Sequence, residues 1–473
     1  MNANIPSFDQ SLFFLLDGFR PDILKKLIDE NKLPNLKELF VDNGTFWTGS
    51  TVFPSTTGPA YLPFITGCYP GVCNVPGIRW VDREHFHNGS WSKKGTRSYV
   101  GYESFFFNQD ISPDTKTLFE IFPNHLSVHN IVNRGVVKSS EPSKIFSSLL
   151  IFAAKLTHQW DMVDHLAASL AQKFLEKNQP KFSFIAFLGV DEAAHLSTPS
   201  SEKTINAYIQ VDQAVGKIIA VLKKKNLFDK TLIFASADHG LSETKHHFEL
   251  CDFVDQMGFK TFVYPKVYQR NNTAACMVSG NAMAHLYFKN GESWNNRMFH
   301  QDLVSRNLLV PLIEQPAVDI LISKTAENYV MISSKRGTAE ISKKNGQLQY
   351  APKSGDPFGF SKELSSQNDF FDATIDSDYP DAIAQAWQIM QSKRAGDLIV
   401  TSSMGYDLRD RFEIPEHFSS HGSLHREHML VPILCNQKIT SNVAKRTVNV
   451  FPTILKYMGV DYKDLPISGE TFI

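Results

Sequence analysis

Apolar positions along this chain fall into two kinds of run. Three short, unbroken apolar segments end abruptly in acidic or imidazole residues: SLFFLL at 11–16 runs into Asp17-Gly18, FSFIAFLG at 182–189 into Asp191, and TLIFA at 231–235 into Asp238-His239-Gly240. Continuous apolar runs of this length are what strands buried on both faces of a parallel sheet require. Between them lie stretches of helical spacing, such as 203–224, where Ile205, Ile209, Val211, Ala214, Val215, Ile218, Ile219 and Leu222 recur on one side. Strand and helix in alternation predict an α/β fold, a doubly wound, mostly parallel sheet flanked by helices, with functional side chains at the carboxyl ends of its strands.

After residue 245 the pattern changes to short strands punctuated by Asn and Gly, among them AHLYF, VDILIS, YVMISS and a hairpin-like KNGQLQY around Asn345-Gly346. This predicts an inserted α+β subdomain or lid over 246–396. The core pattern resumes at DLIVT (397–401), continues through His421 and VPIL (431–434), and closes with a helix over 447–459. The catalytic core is thus expected over 9–245 plus 397–473. The apolar stretch SSLLIFAAKL at 147–156 is interrupted by Lys155, followed by His158, and is too short to cross a bilayer, which predicts a helix lying on the surface or acting as a lid.

Composition narrows the class without changing that picture. The 473 residues, 42% hydrophobic and 21% charged, suit a folded globular chain large enough for one big domain with insertions. With 48 basic and 49 acidic residues the net charge is −1, so no global attraction to nucleic acid is built in and an anionic substrate must be captured locally. The five cysteines are few, odd in number and mostly far apart, which fits a reducing compartment; Cys68 and Cys73 are close enough in sequence to pair. MNANIPSFDQ has no signal-peptide pattern, and no run of about 18 apolar residues follows. A cytoplasmic protein with no membrane span is expected.

Asp17, Asp191, His195, Asp238, His239 and His421 all stand at or just beyond strand ends. Carboxylate oxygen and neutral imidazole nitrogen suit Zn²⁺ or Mn²⁺, and six such donors suffice for two cations about 3.5–4 Å apart, the clamp used in phosphoryl displacement. In D-E-A-A-H, a spacing of four puts Asp191 and His195 on one helical face. His425 and His428 compete with His421 in HGSLHREH, and the glycine after His421 favours it. Thr56 and Thr57 offer two hydroxyls before Gly58-Pro59, either an N-cap or a nucleophile. The clustered phenylalanines, such as 105–107, read as core and lid packing.

Taken in order, LLDGFRPD, FPSTTGPAYLPFITGCYPG, VDEAAH, SADHGLSET and SSHG resemble the alkaline phosphatase superfamily, and within it the nucleotide pyrophosphatase/phosphodiesterase branch. The resemblance implies that Asp191, His195 and His421 hold one divalent metal and Asp17, Asp238 and His239 another. Thr57 would be the nucleophile beside the second metal, forming a phosphothreonine, with Thr56 as fallback. A small phosphate ester is then the expected partner, as a diester, pyrophosphate or monoester. Phosphonate hydrolysis, as of phosphonoacetate, and a cofactor-independent phosphomutase are the alternatives; the threonine and the lack of a recognisable phosphosugar-binding insertion weigh against the mutase. Two positions depart from the pattern: Ala194 replaces a glycine, and Ala60 replaces a phosphate-binding asparagine. Asn133 and Arg134 are the expected substitutes, since a guanidinium matches phosphate oxygens in pairs. Specificity is expected to reside in 246–396 and the loops of 80–101.

Overall fold

The computed structural model describes residues 7–86, 94–264, 271–360, 370–409 and 415–473; parts of both segments expected to carry specificity lie outside the described residues. A six-stranded sheet forms the core, in the order Thr45–Ser50, Leu430–Cys435, Thr231–Ser236, Gln10–Leu16, Phe182–Phe187, His125–Val128. The last four run parallel, while Leu430–Cys435 is antiparallel to both of its neighbours.

Side chains of Gln10–Leu16 show why its sequence is unbroken. Leu12, Phe14 and Leu16 pack into one apolar cluster and Phe13 and Leu15 into a second on the opposite face, so period-two alternation meets apolar neighbours both ways. Each such side chain, removed from water, contributes about 1.5–3 kcal/mol. Residues of the long helices Asp161–Lys177 and Glu202–Lys224 complete the first cluster, and the helices Leu62–Thr66 and Val450–Tyr457 the second. The doubly wound, mostly parallel α/β core is the one the pattern predicts.

An eight-stranded sheet stands beside it, in the order Gln347–Gly355, Gly337–Lys344, Tyr329–Ser334, Val318–Ala326, Leu398–Ser402, Met283–Phe288, Ala274–Ser279, Thr261–Phe262. All its pairings are antiparallel except the last. The boundary expected at 397 shifts here: DLIVT does not return to the core sheet but forms a central strand of the second one, between Val318–Ala326 and Met283–Phe288. A run buried on both faces reads alike in either sheet, so the sequence pattern could not assign it. Lys144–Thr157 forms a helix on the surface. Among the described residues no helix is long and apolar enough to cross a membrane.

Candidate active site

Strands Phe182–Phe187, Gln10–Leu16 and Thr231–Ser236 are adjacent and parallel, so their carboxyl ends open on one edge of the sheet. Asp17 ends the middle strand, Asp238 and His239 follow its neighbour on one side, and the helix Gly189–His195 follows its neighbour on the other. Asp191 and His195 both belong to that helix, one turn apart. Thr45–Ser50 reaches the same edge opposite Leu430 and delivers the turn that carries Thr57. The sixth donor, His421, comes from the seam between the two sheets, its N–H donating to the Gly280 carbonyl at 2.9 Å.

Ligand atoms of Asp191, His195 and His421 lie within 4.8 Å of one another, and so do those of Asp17, Asp191 and His239. Asp191 therefore touches both groups. Asp238 Oδ2 is 3.3 Å and Asp17 Oδ1 3.6 Å from His239 Nε2. The three imidazoles share one arrangement: Nδ1 of His195 donates to the Ser419 carbonyl at 2.8 Å, that of His421 to Ser55 at 3.0 Å, and that of His239 to Gly240 at 3.2 Å. Because a carbonyl only accepts, each hydrogen is fixed on Nδ1 and the lone pair is left on Nε2, the tautomer a metal ligand needs.

Thr57 Oγ1 lies 3.1 Å from His239 Nε2. Thr56 is fully buried and its hydroxyl has no partner, so of the two candidates it is Thr57 that reaches the cluster. His428 is engaged with Ser242 and Ser423, and His425 precedes a short helix as its cap, which leaves His421 as the imidazole of that segment in the cluster.

Burial dominates the electrostatics at this edge. Burial, then the carboxylates of Asp238 and Asp191, pushes Asp17 well above the ordinary carboxyl range, and burial, Glu192 and Asp238 do the same to Asp191. Burial holds His195, His239 and His421 below the usual imidazole range, keeping them neutral. Asp17 Oδ1, Asp191 Oδ1 and both Asp238 oxygens are buried with no hydrogen-bond partner. Unpartnered buried carboxylates cost several kcal/mol each unless a cation or proton compensates them, so the donor set fits divalent metals.

Several supporting residues escaped the sequence reading. Tyr61 donates to Asp17 Oδ2 at 3.0 Å. Asp164, on the Asp161–Lys177 helix, accepts the Leu188 and Gly189 N–H groups at 2.8 and 3.0 Å and so fixes the start of the helix bearing Asp191 and His195. An Asp four residues into a helix pattern carries no signal of such a long-range cap. His417 packs its ring 4.3 Å from that of His195.

The two expected phosphate-binding substitutes are both engaged with protein partners. Arg134 is committed to the carbonyls of Ile111, Ser112 and Thr115 and to Glu120. Asn133 is bonded to Asn108, Ser127, Asn130 and Glu141. Carbonyls at loop ends satisfy a guanidinium fork as well as phosphate oxygens do, and sequence cannot tell the two apart.

Solved structures share this fold. The phosphonoacetate hydrolase of Sinorhizobium meliloti 1021 superposes with TM-score 0.58 at 14% identity, covering 96% of each chain. Human ectonucleotide pyrophosphatase / phosphodiesterase 5 superposes with TM-score 0.60 at 12% identity, covering 98% of this chain and 97% of that one. More narrowly, the family model of type I phosphodiesterase / nucleotide pyrophosphatase matches residues 11–424, and the chain belongs to that family. Curated relatives include mouse ectonucleotide pyrophosphatase/phosphodiesterase family member 3, 24% identical over 55% of this chain and 28% of its own length. GPI ethanolamine phosphate transferase 1 of Gibberella zeae is 22% identical over 50% of this chain and 24% of its own. The matched part spans only about a quarter of these two relatives.

Proposed function

We propose that this chain is a two-metal-dependent hydrolase of phosphate esters, acting on diesters or pyrophosphates through a phosphothreonine on Thr57. The observation that carries the proposal is the Thr57 hydroxyl 3.1 Å from His239 Nε2, at the edge of a cluster whose buried carboxylate oxygens lack partners. Asp191, His195 and His421 would hold one cation and Asp17, Asp238 and His239 the other, with Zn²⁺ or Mn²⁺ suiting the donors. Bound there, the cations would supply Lewis-acid charge to the phosphoryl oxygens and lower the pKa of the attacking alcohol.

The chain's own part is positioning. Thr57 presents its oxygen for in-line attack on phosphorus, the ester oxygen leaves, and water then cleaves the phosphothreonine. Tyr61 holds one Asp17 oxygen, and the Ser55, Ser419 and Gly240 carbonyls orient the three rings. Arg134 is occupied elsewhere, so the cation that would favour a dianionic monoester is not offered from that position, and this supports the diester reading.

The test compares bis-p-nitrophenyl phosphate, p-nitrophenyl phosphate and phosphonoacetate as substrates of the Zn²⁺- or Mn²⁺-loaded protein and of Thr57→Ala. The diester should be turned over fastest, and Thr57→Ala should lower kcat by at least ~10³-fold with metal content unchanged. Phosphate release from phosphonoacetate alone would replace the ester reading with C–P cleavage, and a metal-loaded protein inert to all three would defeat both.

A further inference from the structure

Several of the large apolar side chains exposed among the described residues, including the four most exposed, stand on three segments, each fastened to an element of the proposed site. The first is the helix Lys144–Thr157, where Ile145, Leu149, Phe152 and Leu156 are 78%, 62%, 64% and 69% exposed. Their spacing of four, three and four lines them up along one face for about 16 Å. Its other face, through Leu150, Ile151 and Ala154, packs on Trp160, Val163 and Leu188, the residue before the helix of Asp191 and His195. Lys155 lies close enough to Glu192, next to Asp191, to act on its charge.

The second segment holds Tyr102 and Phe105, 72% and 69% exposed, a turn before Phe107, whose ring packs against Gly58 beside Thr57. Hydrogen bonds from the Asn133 N–H to Asn108 (2.6 Å), from the Asn133 side chain to Glu141 (3.2 Å) and from Lys144 to Glu141 (2.8 Å) tie it to the start of the exposed helix. The third is Phe418, 49% exposed, whose N–H donates to the His195 carbonyl at 2.8 Å. These exposed apolar segments, each fastened to an element of the proposed site, make up an apolar collar. The expectation that the phenylalanines at 105–107 serve packing holds for Phe107 and not for Phe105.

We propose that this collar is a docking face for a lipid–water interface, which seats the mouth of the site against a lipid surface. The identification of the mouth rests on the proposed function above; the docking itself does not. A helix that turns its apolar stripe outward, carries Lys144 and Lys155 and has no acidic residue has the composition of helices that lie in an interface plane. A second copy on the same face would set two mouths against each other and shut out substrate. A lipid surface leaves the polar headgroup layer in front of the mouth.

Sedimentation with vesicles tests this, using phosphatidylcholine alone and phosphatidylcholine mixed with phosphatidylglycerol. The wild-type protein should pellet with both. The triple variant Leu149→Ser, Phe152→Ser, Leu156→Ser should lose at least tenfold in partitioning, while turning over a soluble diester as the wild type does. A control with Val304→Ser and Val310→Ser, exposed apolar positions outside the collar, should bind as the wild type does.

Wild-type protein left in the supernatant with both vesicles would overturn the proposal. So would equal loss in the control, or binding confined to anionic vesicles and indifferent to the triple variant. A wild-type dimer by sedimentation velocity that the triple variant dissociates would assign the collar to a second copy instead. Vesicle binding is read without turnover, so an inert but lipid-bound protein would fail the hydrolase reading alone.

Discussion

The two sheets divide the labour of the site unequally. From the core sheet come Asp17, Asp191, His195, Asp238 and His239, all at the carboxyl ends of three adjacent parallel strands, where chain direction alone forces convergence. The second sheet contributes no donor of its own but grips the sixth. His421 exchanges backbone hydrogen bonds with Gly280 and Ala282, at the end of Ala274–Ser279 and the start of Met283–Phe288. Parallel strands gather chemistry by topology, whereas an antiparallel sheet reaches the same point only through a specific contact at its rim.

If that division is right, damage on the core side should cost most. Asp238→Ala removes two buried, unpartnered carboxylate oxygens. It should lower the metal content from two equivalents to one and reduce kcat/KM by more than the ~100-fold that the loss of an outer hydrogen-bond partner causes. Metal analysis with diester turnover reads both, and a variant retaining two metals would remove Asp238 from the ligand set. Gly280→Val strikes the rim of the second sheet instead. Gly280 has φ +62°, and a Cβ there would lie 2.7 Å from both Nδ1 and the carbonyl oxygen of His421. Metal affinity at the Asp191, His195 and His421 group should fall ~10–100-fold while the other group still fills. Equal loss at both groups would show that the second sheet supports the whole site.

What could be read from sequence follows the same division. SLFFLL, FSFIAF and TLIFA each announce a buried strand and end at a donor, so position along the chain and position at the sheet edge coincide. DLIVT has the same character but no donor follows it, and it belongs to the other sheet. Asp164 was invisible because its partners, the Leu188 and Gly189 N–H groups, lie 24 and 25 residues away. For Arg134 the residue type states what it can bind, and the carbonyls it meets, those of Ile111, Ser112 and Thr115, lie 19 to 23 residues away.

A smaller effect is expected at Asp164, which supports the core side from behind. Burial pushes its carboxyl up to about 7, against 3.8 for the free side chain, although the Leu188 and Gly189 N–H groups pull the other way. The folded chain therefore keeps a proton that the unfolded chain releases near pH 4. That contribution is complete below pH 4 and is lost as pH rises to about 7. Asp164→Asn should abolish this slope in stability and cost about 1 kcal/mol through the weakened cap, read by urea denaturation at several pH values. It should also lower metal affinity at His195, an effect a merely structural residue would not have. An unchanged slope would mean that Asp164 does not hold that proton.

The smallest effect is expected where the second sheet is farthest from the donors. Gly337–Lys344 and Gln347–Gly355 pair at the outer edge, with Lys344 opposite Gln347, so only Asn345 and Gly346 form the turn. Both have positive φ, 50° and 84°, the two-residue turn whose twist matches that of paired strands. Asparagine tolerates this region through its short polar side chain, and glycine has no Cβ to clash; alanine has neither advantage. Gly346→Ala should therefore cost about 1 kcal/mol of stability in urea and leave kcat and both metal affinities unchanged, because no hydrogen bond links this turn to Gly280 or His421 among the described residues. A loss of turnover matching the loss of stability would mean that the outer hairpin and the His421 rim move as one unit, and the contrast between a core that gathers donors and a sheet that grips one of them would fail.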